Sequence, residues 1–126
     1  MFITLLVEDN TPFRQSLKEM LSERFPAMGV EEAKDGEEAL EKIEVTKPHL
    51  VFMDIKLPDA NGLEITRTIK ARYAEITIII LTSYDLPEYR EAAKQYGADY
   101  FLSKESASRE DILKLVENIQ TKSLSE

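Results

Sequence analysis

Five short apolar runs alternate along the chain with longer segments whose apolar positions recur every three or four residues. Ile3–Val7, Val30–Ala33, Leu50–Met53, Thr77–Leu81 and Tyr100–Leu102 are predicted strands. The first, third and fourth are almost unbroken in their apolarity, the pattern of strands covered on both faces of a parallel sheet. The second and fifth are shorter and more mixed, which predicts edge strands. Helical spacing marks the intervening segments: Phe13, Leu17, Met20, Leu21 and Phe25; Ala39, Leu40 and Ile43; Leu63, Thr66 and Ile69. The last two carry Leu86, Tyr89, Ala92, Ala93 and Tyr96, then Ile112, Leu115, Val116 and Ile119. Thr11 before Pro12 predicts an N-cap with proline at the first helical position. Asp35 with Glu38, and Ser108 with Asp111, have the spacing of capping boxes. Gly97 is placed to stop the fourth helix. Five βα units with short connections predict an α/β fold, one doubly wound parallel sheet with right-handed crossovers.

The chain's 126 residues suffice for one domain. We place it at residues 1–120, followed by a polar tail, 121–126, that frays or begins a linker. The net charge of -8 sets up a field that repels phosphate backbones, so no direct nucleic-acid binding is expected. The absence of cysteine excludes disulfides and thiolate metal ligands. Neither a signal-peptide pattern at Phe2–Val7 nor an apolar stretch long enough to span a bilayer is present, and a soluble, cytoplasmic protein is expected.

In open α/β sheets, ligands bind outside the carboxyl ends of the strands. There this chain places Glu8 and Asp9 after the first strand, Asp54 after the third, Thr82 and Ser83 after the fourth, and Lys104 after the fifth. Three carboxylates in one crevice repel one another unless a cation compensates. A hard, oxygen-seeking ion such as Mg²⁺ suits them. Asp9 is the first choice of direct ligand and Asp54 the second, with Glu8 acting through water and the Lys56 carbonyl completing the protein's share. Asp54, seated by the apolar run L-V-F-M, is the natural nucleophile for an aspartyl-phosphate. Thr82 and Lys104 are placed to neutralise charge on phosphoryl oxygens. The only histidine, His49, falls at the opposite end of its strand and reads as a loop residue.

Four segments in order, L-L-V-E-D-N, V-F-M-D-I-K-L-P-D-A-N-G-L-E, I-I-I-L-T-S and G-A-D-Y-F-L-S-K, resemble the motifs of two-component response-regulator receivers, and the resemblance runs from about Ile3 to Ile119. It implies a flavodoxin-like sheet with strand order 2-1-3-4-5. It also implies metal binding by Glu8, Asp9, Asp54 and the Lys56 carbonyl, phosphorylation of Asp54, phosphoryl contacts from Thr82 and Lys104, and a switch aromatic at Tyr100. Pro58 and Gly62 stand where the family has the proline and glycine of the loop after the acceptor.

A histidine kinase is the implied partner, with Mg²⁺ the implied cofactor and no catalysis beyond the domain's own phosphorylation and dephosphorylation. The implied output is a changed binding face for an output domain or downstream protein. Control of transcription through an attached or partner DNA-binding domain, and homodimer formation on phosphorylation, belong to the same expectation. Glu105 follows Lys104 where many relatives have proline; K-E-S is closer to receivers of the nitrate-response and quorum-sensing helix-turn-helix regulators. Lys56 stands where haloacid-dehalogenase-like phosphatases place a second aspartate, which argues against that chemistry. The first βα turn, E-D-N-T-P, lacks a glycine-rich phosphate loop, which argues against nucleotide or flavin binding.

Overall fold

The computed structural model describes residues 1–124. Its elements alternate as β1 (Ile3–Val7), α1 (Thr11–Arg24), β2 (Gly29–Ala33), α2 (Gly36–Thr46) and β3 (Leu50–Met53), then α3 (Gly62–Arg72), β4 (Thr77–Thr82), α4 (Pro87–Gln95), β5 (Tyr100–Ser103) and α5 (Arg109–Leu124). All strand pairs are parallel, in the order β2-β1-β3-β4-β5, so β2 and β5 form the edges as their mixed composition predicts.

Side chains of a strand alternate between faces, and the three central strands are apolar at nearly every position, Thr4, Thr77 and Thr82 excepted, because both faces are covered. Leu5, Val7, Val51, Met53, Ile78 and Ile80 pack with Ala39 and Ile43 of α2, Leu63, Ile65 and Ile69 of α3, and Ala93 of α4. Leu6, Leu50, Phe52, Ile79 and Leu81 pack on the other side with Leu17, Met20 and Leu21 of α1 and Ile112, Leu113, Val116 and Ile119 of α5. Burying each of these side chains larger than alanine stabilises the fold by about 1.5–3 kcal/mol. The rim that carries Glu8, Asp54, Thr82 and Lys104 thus stands on a rigid two-layered core.

Local details differ from the sequence expectation in three places. Asn10, not Thr11, caps α1: its side chain accepts the Phe13 N–H at 3.0 Å, and Thr11 and Pro12 are already helical. Asparagine and threonine are both good caps, and the position of the turn decides between them. Second, α5 continues through Thr121–Leu124, where a polar tail was expected; residues 125–126 of that tail lie outside the described residues. Third, His49 has a structural role beyond its loop position. Its Nδ1 accepts the Ile3 N–H at 3.0 Å, and its ring stacks on Phe2.

Other local signals hold. Asp35 caps α2, accepting the Glu38 N–H, while the Glu38 carboxylate accepts from the Lys34 N–H, so half of the expected capping box forms. Ser108 and Asp111 cap each other reciprocally. Gly97 follows α4 with φ +94, a left-handed conformation that favours glycine. No cis peptide bond occurs among the described residues, so Lys104–Glu105 is trans. None of the described helices is long and apolar enough to cross a membrane.

Candidate functional site

Glu8 leaves β1 with its N–H still paired to the Ala33 carbonyl of β2, and Asp54 leaves β3 with its N–H paired to the Val7 carbonyl of β1. These ladder bonds set the two carboxylates side by side at the rim, and both residues are buried. Lys104 reaches them from the end of β5, whose backbone is tied to β4 by the Lys104 N–H donating to the Thr82 carbonyl at 2.9 Å. Its Nζ lies 2.6 Å from Glu8 Oε1 and 3.3 Å from Asp54 Oδ2, and 4.3 Å from the centre of the Phe13 ring. The second oxygens are also committed. Glu8 Oε2 accepts the Asn10 N–H at 3.0 Å, and Asp54 Oδ1 accepts the Ile55 N–H at 2.8 Å.

Asp9 completes the acidic cluster from an exposed position. Glu8, Asp9 and Asp54 can each offer a carboxylate oxygen, all within 4.8 Å of one another. Burial pushes the Glu8 carboxyl above its ordinary value, and the Asp54 charge adds to this, although hydrogen bonds from Lys104 and Asn10 oppose it. Burial works against the Lys104 ammonium too, but the hydrogen bond to Glu8 and the charges of Asp54 and Glu8 outweigh it and raise its pKa. The Lys104 ammonium offsets only part of the charge of the three clustered carboxylates. Oxygen donors so close together, with excess negative charge, fit a small hard cation such as Mg²⁺.

The loop after β3 holds the Asp54 backbone from behind. Gly62 opens α3 with its N–H donated to the Ile55 carbonyl at 2.8 Å. A Cβ there would sit 1.9 Å from the Asp54 carbonyl oxygen, so only glycine allows this approach. Lys56 turns outward, its ammonium 5.2 Å and 5.7 Å from the ring centres of Tyr84 and Tyr89. Thr82 is fully buried at the end of β4, and its Oγ1 accepts the Tyr84 N–H at 3.3 Å.

The family model of the response regulator receiver domain matches residues 4–117. The chain belongs to the response regulator receiver family. It is 37% identical over 106 residues to the response regulator MprA of Mycolicibacterium vanbaalenii, an alignment covering 84% of this chain and 45% of that protein. To the transcriptional regulatory protein DegU of Brevibacillus brevis it is 32% identical over 101 residues, covering 80% of this chain and 43% of that one. The receiver thus spans less than half the length of these curated relatives. The crystal structure of a CheY-like response regulator receiver domain protein from Methanospirillum hungatei JF-1 superposes with a TM-score of 0.88 at 29% identity, covering 100% of this chain and 99% of that one.

The receiver's rim gathers Glu8, Asp9, Asp54, Thr82 and Lys104, with Lys56 just beyond Asp54, but it leaves Tyr100 out. Tyr100 pairs with Ile79, three residues before Thr82, which is about 10 Å back along the strand. It also falls on the face of Ile79 and Leu81, opposite to that of Ile80 and Thr82. Tyr100, the expected switch aromatic, thus does not share the face of Thr82. The aromatic ring on Thr82's face is Phe101, paired with Ile80, packed against the α2–α4 side of the core, and lying 4.7 Å beneath the Arg90 guanidinium. Two adjacent aromatics precede the lysine, and only strand register distinguishes them.

Proposed function

We propose that this receiver is a phosphoacceptor switch in which Asp54 takes a phosphoryl group from a histidine kinase in an Mg²⁺-dependent reaction. The observation that carries it is the meeting of Asp54, Glu8 and Lys104 within one buried crevice, 50 residues of chain separating the first from the last. An Asp54 carboxylate oxygen attacks phosphorus in line. The new O–P bond forms as the P–N bond of the donor phosphohistidine breaks, and the released electron pair returns to the imidazole, which takes up a proton. Asp9 and Asp54 would hold Mg²⁺ directly, with Glu8 acting through water. The Lys56 carbonyl would be a further ligand. When bound, the ion supplies positive charge to the phosphoryl oxygens during transfer.

Lys104 then pairs with the new phosphoryl group, and the Thr82 hydroxyl turns toward it as a donor. That turn withdraws the Thr82 oxygen from the Tyr84 N–H and frees space on the Phe101 face. The α4–β5–α5 surface changes and is read by an attached output domain or a downstream protein. Control of transcription through a DNA-binding domain, self-association on phosphorylation and a cytoplasmic location belong to the same reading, which the kinship with a transcriptional regulatory protein supports. The only chemistry is the domain's own phosphorylation and dephosphorylation.

The test is intact mass after incubation with acetyl phosphate, with and without Mg²⁺, beside Asp54→Asn. One added phosphoryl group, only with Mg²⁺ and only in the wild type, is expected. No addition to the wild type, together with no binding of beryllofluoride, would replace this reading with a phosphate-independent interaction module.

A further inference from the structure

The Glu8–Asp9 peptide lies where β1 stops being a strand. The Glu8 N–H still finds a partner in β2, but the chain then turns into α1 and the Glu8 carbonyl leaves the ladder. A carbonyl beside three carboxylates and away from water requires a donor. Arg14, one turn into α1, supplies it: its Nη1 donates to the Glu8 carbonyl at 2.7 Å. The same guanidinium donates through Nε to Glu32 Oε1 at 3.0 Å, and the Arg14 side chain is only 13% exposed. Glu32 is itself pinned, accepting from Lys18 Nζ at 3.0 Å and Gln15 Nε2 at 3.3 Å. Burial favours its neutral form, but the hydrogen bonds from Lys18 and Arg14 prevail and hold its carboxyl below the ordinary value. The chain of contacts thus runs from β2 through α1 to the peptide that joins two of the three clustered acids.

We infer that Arg14 is a positioning residue for the acidic crevice: it holds the Glu8–Asp9 peptide in the orientation from which Glu8, Asp9 and Asp54 share one divalent cation, and Glu32 orients Arg14. The inference rests on the reading of this crevice as an Mg²⁺-dependent acceptor. A guanidinium suits the task because its planar fork serves two acceptors at once, which a single ammonium does not do with the same geometry. Arg14 never touches the ion or the phosphoryl group. Its charge by itself would weaken cation binding by repulsion, so positioning and charge predict opposite signs when Arg14 is removed.

That opposition makes the test decisive. Mg²⁺ affinity of the unphosphorylated chain is measured by titration calorimetry, with thermal unfolding without Mg²⁺ recorded for each variant. Arg14→Met is expected to bind Mg²⁺ 10–100-fold more weakly, the usual effect of losing a group that orients a metal ligand. Arg14→Lys, which keeps the charge but loses the fork, is expected to be weakened as well. Lys18→Met, which removes another partner of Glu32 but nothing from the Glu8 carbonyl, is expected to keep wild-type affinity. Should Arg14→Met fail to fold, Arg14→Lys decides, since it keeps the charge but cannot serve the Glu8 carbonyl and Glu32 at once. An Arg14→Met protein that binds Mg²⁺ as tightly as the wild type or tighter overturns the inference, as does wild-type affinity in Arg14→Lys. A wild type that binds no Mg²⁺ overturns the crevice reading itself, and the inference with it.

Discussion

Gly62 shows how one missing side chain sets the geometry around Asp54. Its backbone passes so near Asp54 that an added Cβ would overlap the Asp54 carbonyl oxygen, a backbone atom that cannot swing aside. Gly62→Ala is therefore expected to destabilise the domain by about 1–3 kcal/mol, an overpacking cost that outweighs alanine's better helix propensity. Denaturant unfolding measures this, and acetyl phosphate labelling of the same variant should be slower because Asp54 is displaced. Unchanged stability would show that the turn relaxes freely. Phe101 and Tyr100 provide a second comparison at this scale. Beryllofluoride should shift the amide resonances of α4, and Phe101→Ala is expected to alter that response while Tyr100→Ala leaves it as in the wild type. The reverse result would return the switch role to Tyr100.

At the scale of elements, α2 is capped from two directions. Asp35 accepts the Glu38 N–H, and Asp59, from the loop after Asp54, accepts the N–H groups of Gly36 and Glu37 at 2.8 Å and 3.0 Å. These are orphan donors of a helix N-terminus, and a carboxylate there also complements the helix dipole. The hydrogen bonds from Gly36 and Glu37 hold the Asp59 carboxyl below its ordinary value of 3.8. A carboxylate whose native pKa is depressed contributes stability that is complete above the unfolded value and vanishes as pH falls through the native one. The melting temperature of Asp59→Asn should thus lie below that of the wild type by a constant amount above pH 3.8, and the gap should close at lower pH. Thermal melts at matched pH measure it; a gap that persists in acid would mean that the cap does not depend on charge. Asp35 is legible as a cap because its partner is three residues away, whereas Asp59 is not, because its partners are 22 and 23 residues distant.

For the molecule as a whole, the acidic crevice is a place where charge repulsion is tolerated for function. Lys104 offsets part of it, and a bound cation should offset more. A ligand that binds only the folded state stabilises it by mass action, so Mg²⁺ at tenfold its dissociation constant is expected to add about 1.4 kcal/mol. Melts with and without Mg²⁺ measure this gain, and Asp9→Asn should lose most of it. A wild type whose melting temperature ignores Mg²⁺ would exclude the shared-cation site. The net charge of -8 fits the same picture: such a field attracts a divalent ion and repels a nucleic-acid backbone.

The order of elements, their type and the rim that carries the acidic cluster were determined by sequence, because hydrophobic periodicity reports directly on burial and strand ends follow from it. Glu8, Asp9, Asp54, Thr82 and Lys104 were legible for that reason, each lying at or just beyond the end of an apolar run. Tertiary structure alone decided what depends on register and on contacts between distant segments. It set Phe101, and not Tyr100, on the face of Thr82, because the pairing of β5 with β4 assigns each ring to a face. It set Asp59 on the N-terminus of α2 and Arg14 between Glu8 and Glu32, because packing α1 and the β3–α3 loop onto the sheet brings together groups whose spacing along the chain carries no period.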